Sequence, residues 1–126
     1  MDDLRCEIDL PLADAESRVR AALAAEGFGI LTEIDVAGTL RAKLGVERAP
    51  LRVLGACNPA LINEALTRDP DVALALPCNV VLEELAGGAT RVAIADPAQL
   101  MDDPRLEDLV ADARQRLRRA LDEITS

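Results

Sequence analysis

The chain contains no histidine, no tryptophan and no tyrosine, and Phe28 is its one aromatic residue. Without histidine, Ser–His and Cys–His nucleophile pairs and histidine-ligated metal sites are excluded. Without rings, the core must be filled with Leu, Val, Ile and Ala. It then lacks the large side chains that commonly anchor pockets and interfaces. Lysine is nearly missing as well: Lys43 stands alone among basic residues that are otherwise arginine. No stretch approaches the ~18 apolar residues of a transmembrane helix. There is no P-loop and no GxGxxG, so those two phosphate cradles are excluded. Positive charge is scarce overall, with a net charge of −9. That counts against nucleic acid, which needs a concentrated basic face, and against anionic membrane surfaces. The densest basic cluster is Arg114, Arg116, Arg118 and Arg119. Asp112, Asp122 and Glu123 flank it, so it reads as a solvated helix face.

What remains is a chain of 126 residues, half of them hydrophobic. That is the size of one domain spanning 1–126, large enough to bury a core without staples. Met1-Asp2-Asp3 opens acidic, with no apolar run behind it, so no secretory signal is expected. An odd count of cysteines without such a signal predicts reduced thiols in a cytoplasmic setting.

Leu4 to Leu10 alternates, with Leu4, Cys6, Ile8 and Leu10 on one face, and reads as a strand with one buried side. Pro11 ends it. Asp14 is the expected N-cap of a helix to about Glu26, with Gly27 as its left-handed stop. Phe28 to Ile34 reads as a second strand whose inner set is Phe28, Ile30, Thr32 and Ile34, with Leu31 opposite. Asp35 caps a short helix that stops at Gly45. Leu51 to Cys57 is apolar on both faces, as expected of a central strand. Asn58-Pro59 is a strong helix start, a cap followed by proline at the first helical position. Cys78 to Leu85 and Ala89 to Ala95 form a hairpin about Gly87-Gly88. A two-residue turn there places Glu84 opposite Arg91 and Val81 opposite Ile94. Asp96-Pro97 and Asp103-Pro104 repeat the cap-then-proline signal. The last helix carries a long stripe: Leu106, Leu109, Val110, Ala113, Leu117, Ala120, Leu121 and Ile124.

This order predicts an α+β fold, a mainly antiparallel sheet of about five strands with two long helices on one face. The second face would hold Leu31, Leu54, Ala56 and part of Val81, Val92 and Ile94. Either the short inserted helices cover it, or a second copy of the chain does, giving a homodimer through a sheet face.

Two Cys-Asn pairs, Cys57-Asn58 and Cys78-Asn79, are the candidate site. Antiparallel pairing of the third and fourth strands would bring them to one sheet edge. Cys57 just precedes a helix N-terminus, a position that lowers a thiol pKa. A metal there would need Asp96, water or a second subunit to complete its shell. The bland account is that the cysteines are packed as small hydrophobes and Asn58 simply caps a helix. Paired acids at Glu83-Glu84 face opposite sides of a strand and form no dyad.

Three stretches carry a resemblance. Gly27-Phe28-Gly29 with Thr32-Glu33-Ile34-Asp35, Leu54-Gly55-Ala56-Cys57-Asn58-Pro59 and Leu76-Pro77-Cys78-Asn79-Val80-Val81 together resemble the domain of unknown function 302 family. These are small bacterial and archaeal proteins without an agreed activity. The resemblance implies a compact α+β domain, dimeric and cytoplasmic, with Cys57, Asn58, Cys78 and Asn79 in one site. The chain departs from the family's pattern at Leu51, where an aromatic is expected, which counts against a ring-lined pocket there.

Three functions from different classes follow. The first is a dimeric small-ligand or metal-binding module using the Cys57/Cys78 edge, its cofactor unknown. The second is a thiol-based redox or sulfur-transfer enzyme. The third is a structural or interaction protein with packed thiols.

Overall fold

Alternating strands and two amphipathic helices dictate the architecture, seen in a computed structural model that describes residues 3–126. Met1 and Asp2, part of the acidic opening segment, lie outside the described residues. The elements are β1 (Arg5–Ile8), α1 (Leu12–Ala25), β2 (Gly29–Asp35), α2 (Val36–Leu44), β3 (Leu51–Cys57), α3 (Pro59–Arg68), β4 (Cys78–Glu84), β5 (Thr90–Ile94), α4 (Pro97–Leu100) and α5 (Glu107–Thr125). Short 3₁₀ segments occupy Pro70–Ala75 and Pro104–Leu106. The sheet has five strands in the order β1-β5-β4-β3-β2, with every pairing antiparallel. This is the expected α+β fold, with β3 an interior strand between β4 and the edge strand β2. Among the described residues no helix is long and apolar enough to cross a membrane.

Helices α1 and α5 cover one face. Their stripes, Ala15, Val19, Ala22 and Leu23 on α1 and Leu117, Ala120, Leu121 and Ile124 on α5, pack on Leu54, Val80, Leu82 and Val92. Thr90 is a fully buried polar side chain in this layer, and its hydroxyl donates to the Leu10 carbonyl at 2.8 Å. Arg52 fastens the β3 edge to α1 through Glu16 at 2.6 Å, and Arg20 bridges Glu16 and Glu33.

Several local expectations are corrected. Helix α1 begins at Leu12 with Pro11 at the N-cap position and no side-chain cap, so Asp14 lies in the first turn instead. The hairpin is offset by one residue: Glu83 faces Arg91 and Val80 faces Ile94. The reason is a longer loop. The Leu85 amide bonds to the Ala89 carbonyl at 2.8 Å, leaving Ala86, Gly87 and Gly88 as the connection. A single-residue slip of this kind reverses which side chains face inward.

The β2 inner set is also revised. A bulge between Ile30 and Thr32 places an extra residue, Leu31, in the strand. Phe28 and Ile30 stay with the core, but Thr32 and Ile34 emerge on the open face beside Gly55 and Val53. Consequently Leu54, Ala56, Val92 and Ile94 belong under the helices and not on the second face, where they were expected. The open face carries Ile34, Val53, Val81 and Ala93 in one cross-strand row. The inserted helices do not close it. Helix α2 buries none of its residues, and Leu31 and Ile34 are 66% and 51% exposed.

Candidate functional site: an apolar cavity at the end of the sheet

Where β3 ends and β4 begins, the chain builds a second apolar cluster from short elements. Each opens with a carboxylate or amide followed by proline. Asn58 accepts from the Leu61 amide, Asp69 from Asp71, Asp96 from Ala98 and Asp103 from Arg105. Such a cap satisfies an orphan amide, and the proline presets the first helical φ. Short elements that could not hold alone are thereby pinned beside α5.

Asn58 is 6% exposed and does two jobs. Its Oδ1 accepts from the Leu61 amide at 3.3 Å, and its Nδ2 donates to the Glu26 carbonyl at 3.4 Å. Arg116 Nη1 donates to the same carbonyl at 3.3 Å. The end of α1, the start of α3 and the middle of α5 thus meet at one backbone oxygen. Gly27 makes this approach possible. It has φ +87°, and a Cβ there would lie 3.0 Å from Asn58 Nδ2.

Cys78 pairs with Ala56 across the β3–β4 ladder and so shares its helix-covered face. Its Sγ donates to the Ala95 carbonyl at 3.3 Å. Burial, aided by the nearby Asp96 carboxylate, pushes its thiol from an ordinary 9.0 up to about 11. Cys57 follows Ala56, so strand alternation starts its side chain from the opposite face, and it borders the cavity from the strand end. Its pKa is raised by burial. This is opposite to the lowering expected from the α3 N-terminus, where the Leu61 amide is already taken by Asn58 Oδ1. Asn79 is exposed on the open face opposite Gly55. The Cys78-Asn79 pair is therefore divided by the sheet. The expected strand pairing exists, and it brings Cys57, Asn58 and Cys78 to the cavity while leaving Asn79 outside it.

Between these groups and the short helices lies a cavity of about 40 Å³. Phe28, Leu61, Ile62, Leu76, Met101 and Leu106 provide much of its wall, with Cys57, Asn58 and Cys78 at the sheet end. Among the described residues no group of three or more Cys, Asp or Glu is placed to hold a metal ion. Asp96, the one carboxylate expected to help, caps α4 and is bonded by Arg114 Nε at 3.2 Å. Sequence reasoning missed Met101, Leu76 and Leu106 as cavity walls. The signal was present: Asp69-Pro70 completes a set of four cap-proline pairs, all placed around this cluster.

The family described as Domain of unknown function DUF302 matches residues 4–124 of this chain. The chain belongs to that family. A crystal structure of a DUF302 protein, described as an uncharacterized conserved protein from Bacillus stearothermophilus, superposes on it with a TM-score of 0.85. That protein is 28% identical, and the match covers 94% of each chain. The DUF302 fold accordingly spans both the sheet layer and the short-helix cluster described above. No curated protein matches the chain.

Proposed function

We propose that this DUF302 domain is a dimeric, non-catalytic module that binds a small apolar ligand in the cavity beside Cys78. The carrying observation is the cavity itself, an aliphatic space of about 40 Å³ with a thiol and a capped asparagine as its polar groups. Protein interiors are otherwise close-packed, so an apolar void beside a largely buried thiol is a site to be filled. The metal version of this reading lacks a ligand set, because neither cysteine has a third partner at hand. Raised thiol pKa values disfavour the redox or sulfur-transfer alternative, which needs a thiolate near neutral pH. Dimerisation through the open face rests on the exposed Leu31 and Ile34 beside the Ile34–Val53–Val81–Ala93 row. Free cysteines suit a reducing cytoplasm.

Xenon under pressure probes the cavity directly, since dry apolar cavities take it up. The expected result is a set of amide NMR shifts confined to residues around Leu61, Leu76 and Met101, and their loss in Ala75→Leu. Shifts scattered over the surface would sink the ligand reading. In parallel, thiol labelling of the folded protein at neutral pH should leave Cys78 unmodified; fast modification of Cys57 or Cys78 would favour the enzyme. Light scattering tests the dimer, which a concentration-independent monomer mass would remove.

A further inference from the structure

We infer that the 3₁₀ segment Pro70–Ala75 is the movable wall of this cavity, a strap latched by Val72 whose release enlarges the space for an apolar occupant. This names the regulation of the site proposed above and rests on that reading. A cavity of about 40 Å³ is room for about three waters. An aromatic ring needs far more, since benzene fills an apolar cavity of about 150 Å³. An occupant of that size must displace a wall, and the walls differ in how they are held.

Most walls are fastened across elements. At the sheet end, Cys78 stands in the ladder opposite Ala56. Helix α3 is tied at its start through Asn58, which donates to the Glu26 carbonyl at 3.4 Å. At its end Arg68 donates to the Arg105 carbonyl at 3.0 Å and meets Asp108 at 2.6 Å. Ahead of α4, the Ala95 amide donates to the Asn79 carbonyl at 2.9 Å, and Asp96 is bonded by Arg114. Helix α5 runs through both hydrophobic clusters.

The strap has no such tie. Among the described residues, no hydrogen bond runs from residues 70–76 to another element. The Val72 amide donates to the Asp69 carbonyl at 3.1 Å and the Leu76 amide to the Ala73 carbonyl at 3.3 Å, both within the strap and its cap. Val72 is its one buried side chain, while Leu74 is 89% exposed. Val72 packs with Ala65, Leu106 and Val110 and does not line the cavity, which the strap borders through Ala75 and Leu76. Both ends are fixed. The Asp69 amide closes α3 by donating to the Ala65 carbonyl at 2.9 Å, and Asp69 pairs with the exposed Arg105 at 3.4 Å. Pro77 lies against Gly55, where a Cβ would meet Pro77 Cγ at 2.7 Å. A segment tethered at both ends and held between them by one apolar side chain opens locally while its neighbours stay folded.

Xenon, a single atom, and benzene separate a fixed wall from a movable one. Both are titrated into the full chain and followed by amide NMR and hydrogen exchange. Benzene should quicken exchange at the Val72 and Leu76 amides and leave the Ile62 and Ala95 amides protected; xenon should leave all four unchanged. Val72→Thr keeps the side-chain volume but buries a hydroxyl, which should raise the open fraction about tenfold. Apparent affinity for an occupant of the open state follows that fraction. Benzene should therefore bind the variant about tenfold more tightly, and xenon as it binds the parent. Should the variant not fold, the exchange pattern of the parent with benzene decides. Three results overturn the strap and leave the apolar site standing on xenon: benzene binding that Val72→Thr does not change, protection lost in α3 instead of the strap, or benzene refused by both forms. If neither xenon nor benzene binds, both inferences fall.

Discussion

The described residues form two hydrophobic clusters, and they are built differently. The larger lies between α1, α5 and the sheet. Long elements supply it, and Leu23, Leu54, Leu82 and Leu117 are fully buried there. The smaller joins Ala65, Val72, Leu106 and Val110 beneath α3 and the 3₁₀ segments, and it borders the cavity. Long helices carry enough side chains per face to fill the space against a sheet. Elements of three to ten residues do not. They are fixed in place by Asx-proline caps, and the space between them follows from where the caps sit. In this fold, capping fixes the backbone around the cavity, and incomplete filling creates it.

The largest expected difference between the clusters is the response to truncation. Leu54→Ala removes a fully buried side chain from the tight layer and should cost about 3–5 kcal/mol. Leu106→Ala enlarges a space already present and should cost less, about 2 kcal/mol. Urea unfolding measures both; equal losses would erase the distinction between a filled cluster and a holed one.

Next in size is the pH dependence at the boundary of the two clusters. The Cys78 thiol titrates at about 11 when folded against an ordinary 9.0. Between those values the unfolded chain loses its proton first, so unfolding is favoured as pH rises. The stabilisation is complete below pH 9 and is lost through about 11, for about 2–3 kcal/mol in all. Cys6 and Cys57 act in the same direction, since burial raises both. Urea midpoints at successive pH values should show the decline, and Cys78→Ala should flatten it more than Cys57→Ser. A slope untouched by Cys78→Ala would mean that the thiol does not mark the boundary.

The smallest effect concerns the oxygen that links the clusters. Asn58→Ala removes the α3 cap and one donor to the Glu26 carbonyl, for about 1–2 kcal/mol. Arg116 still donates to that carbonyl, which limits the loss. Amide exchange should quicken in α3 and leave α1 and β4 protected. Uniform acceleration through the sheet would instead make Asn58 part of the main core.

The difference between the clusters also explains what could be read from sequence. The large layer announced itself through periodicity: the α5 stripe and the β1 alternation each predicted their buried faces. The errors arose where one residue breaks a period. Leu31 turned Thr32 and Ile34 outward, and Ala86 shifted the hairpin pairing. Neither change alters composition or local propensity. The candidate site was half legible. Asn58-Pro59 is a cap in any context, and the pairing of β3 with β4, which the site reading took as its condition, is present. The face on which each sulfur lies depends on register, fixed by contacts distant in sequence. The cavity walls at Leu76 and Met101 lie in segments too short for a period, so only their caps foretold them.

The bulge in β2 has one further consequence. Thr32 and Leu31 together oppose Gly55, after which Glu33 faces Leu54 and Asp35 faces Arg52. The extra residue is absorbed where it occurs, and the later pairing owes nothing to it. The strand therefore tolerates a one-residue change of length at Leu31 by arithmetic alone: without that residue, Thr32 still meets Gly55 and every later partner is unchanged. An edge strand with such a slack point can differ in length between relatives while the four strands inside it keep their places.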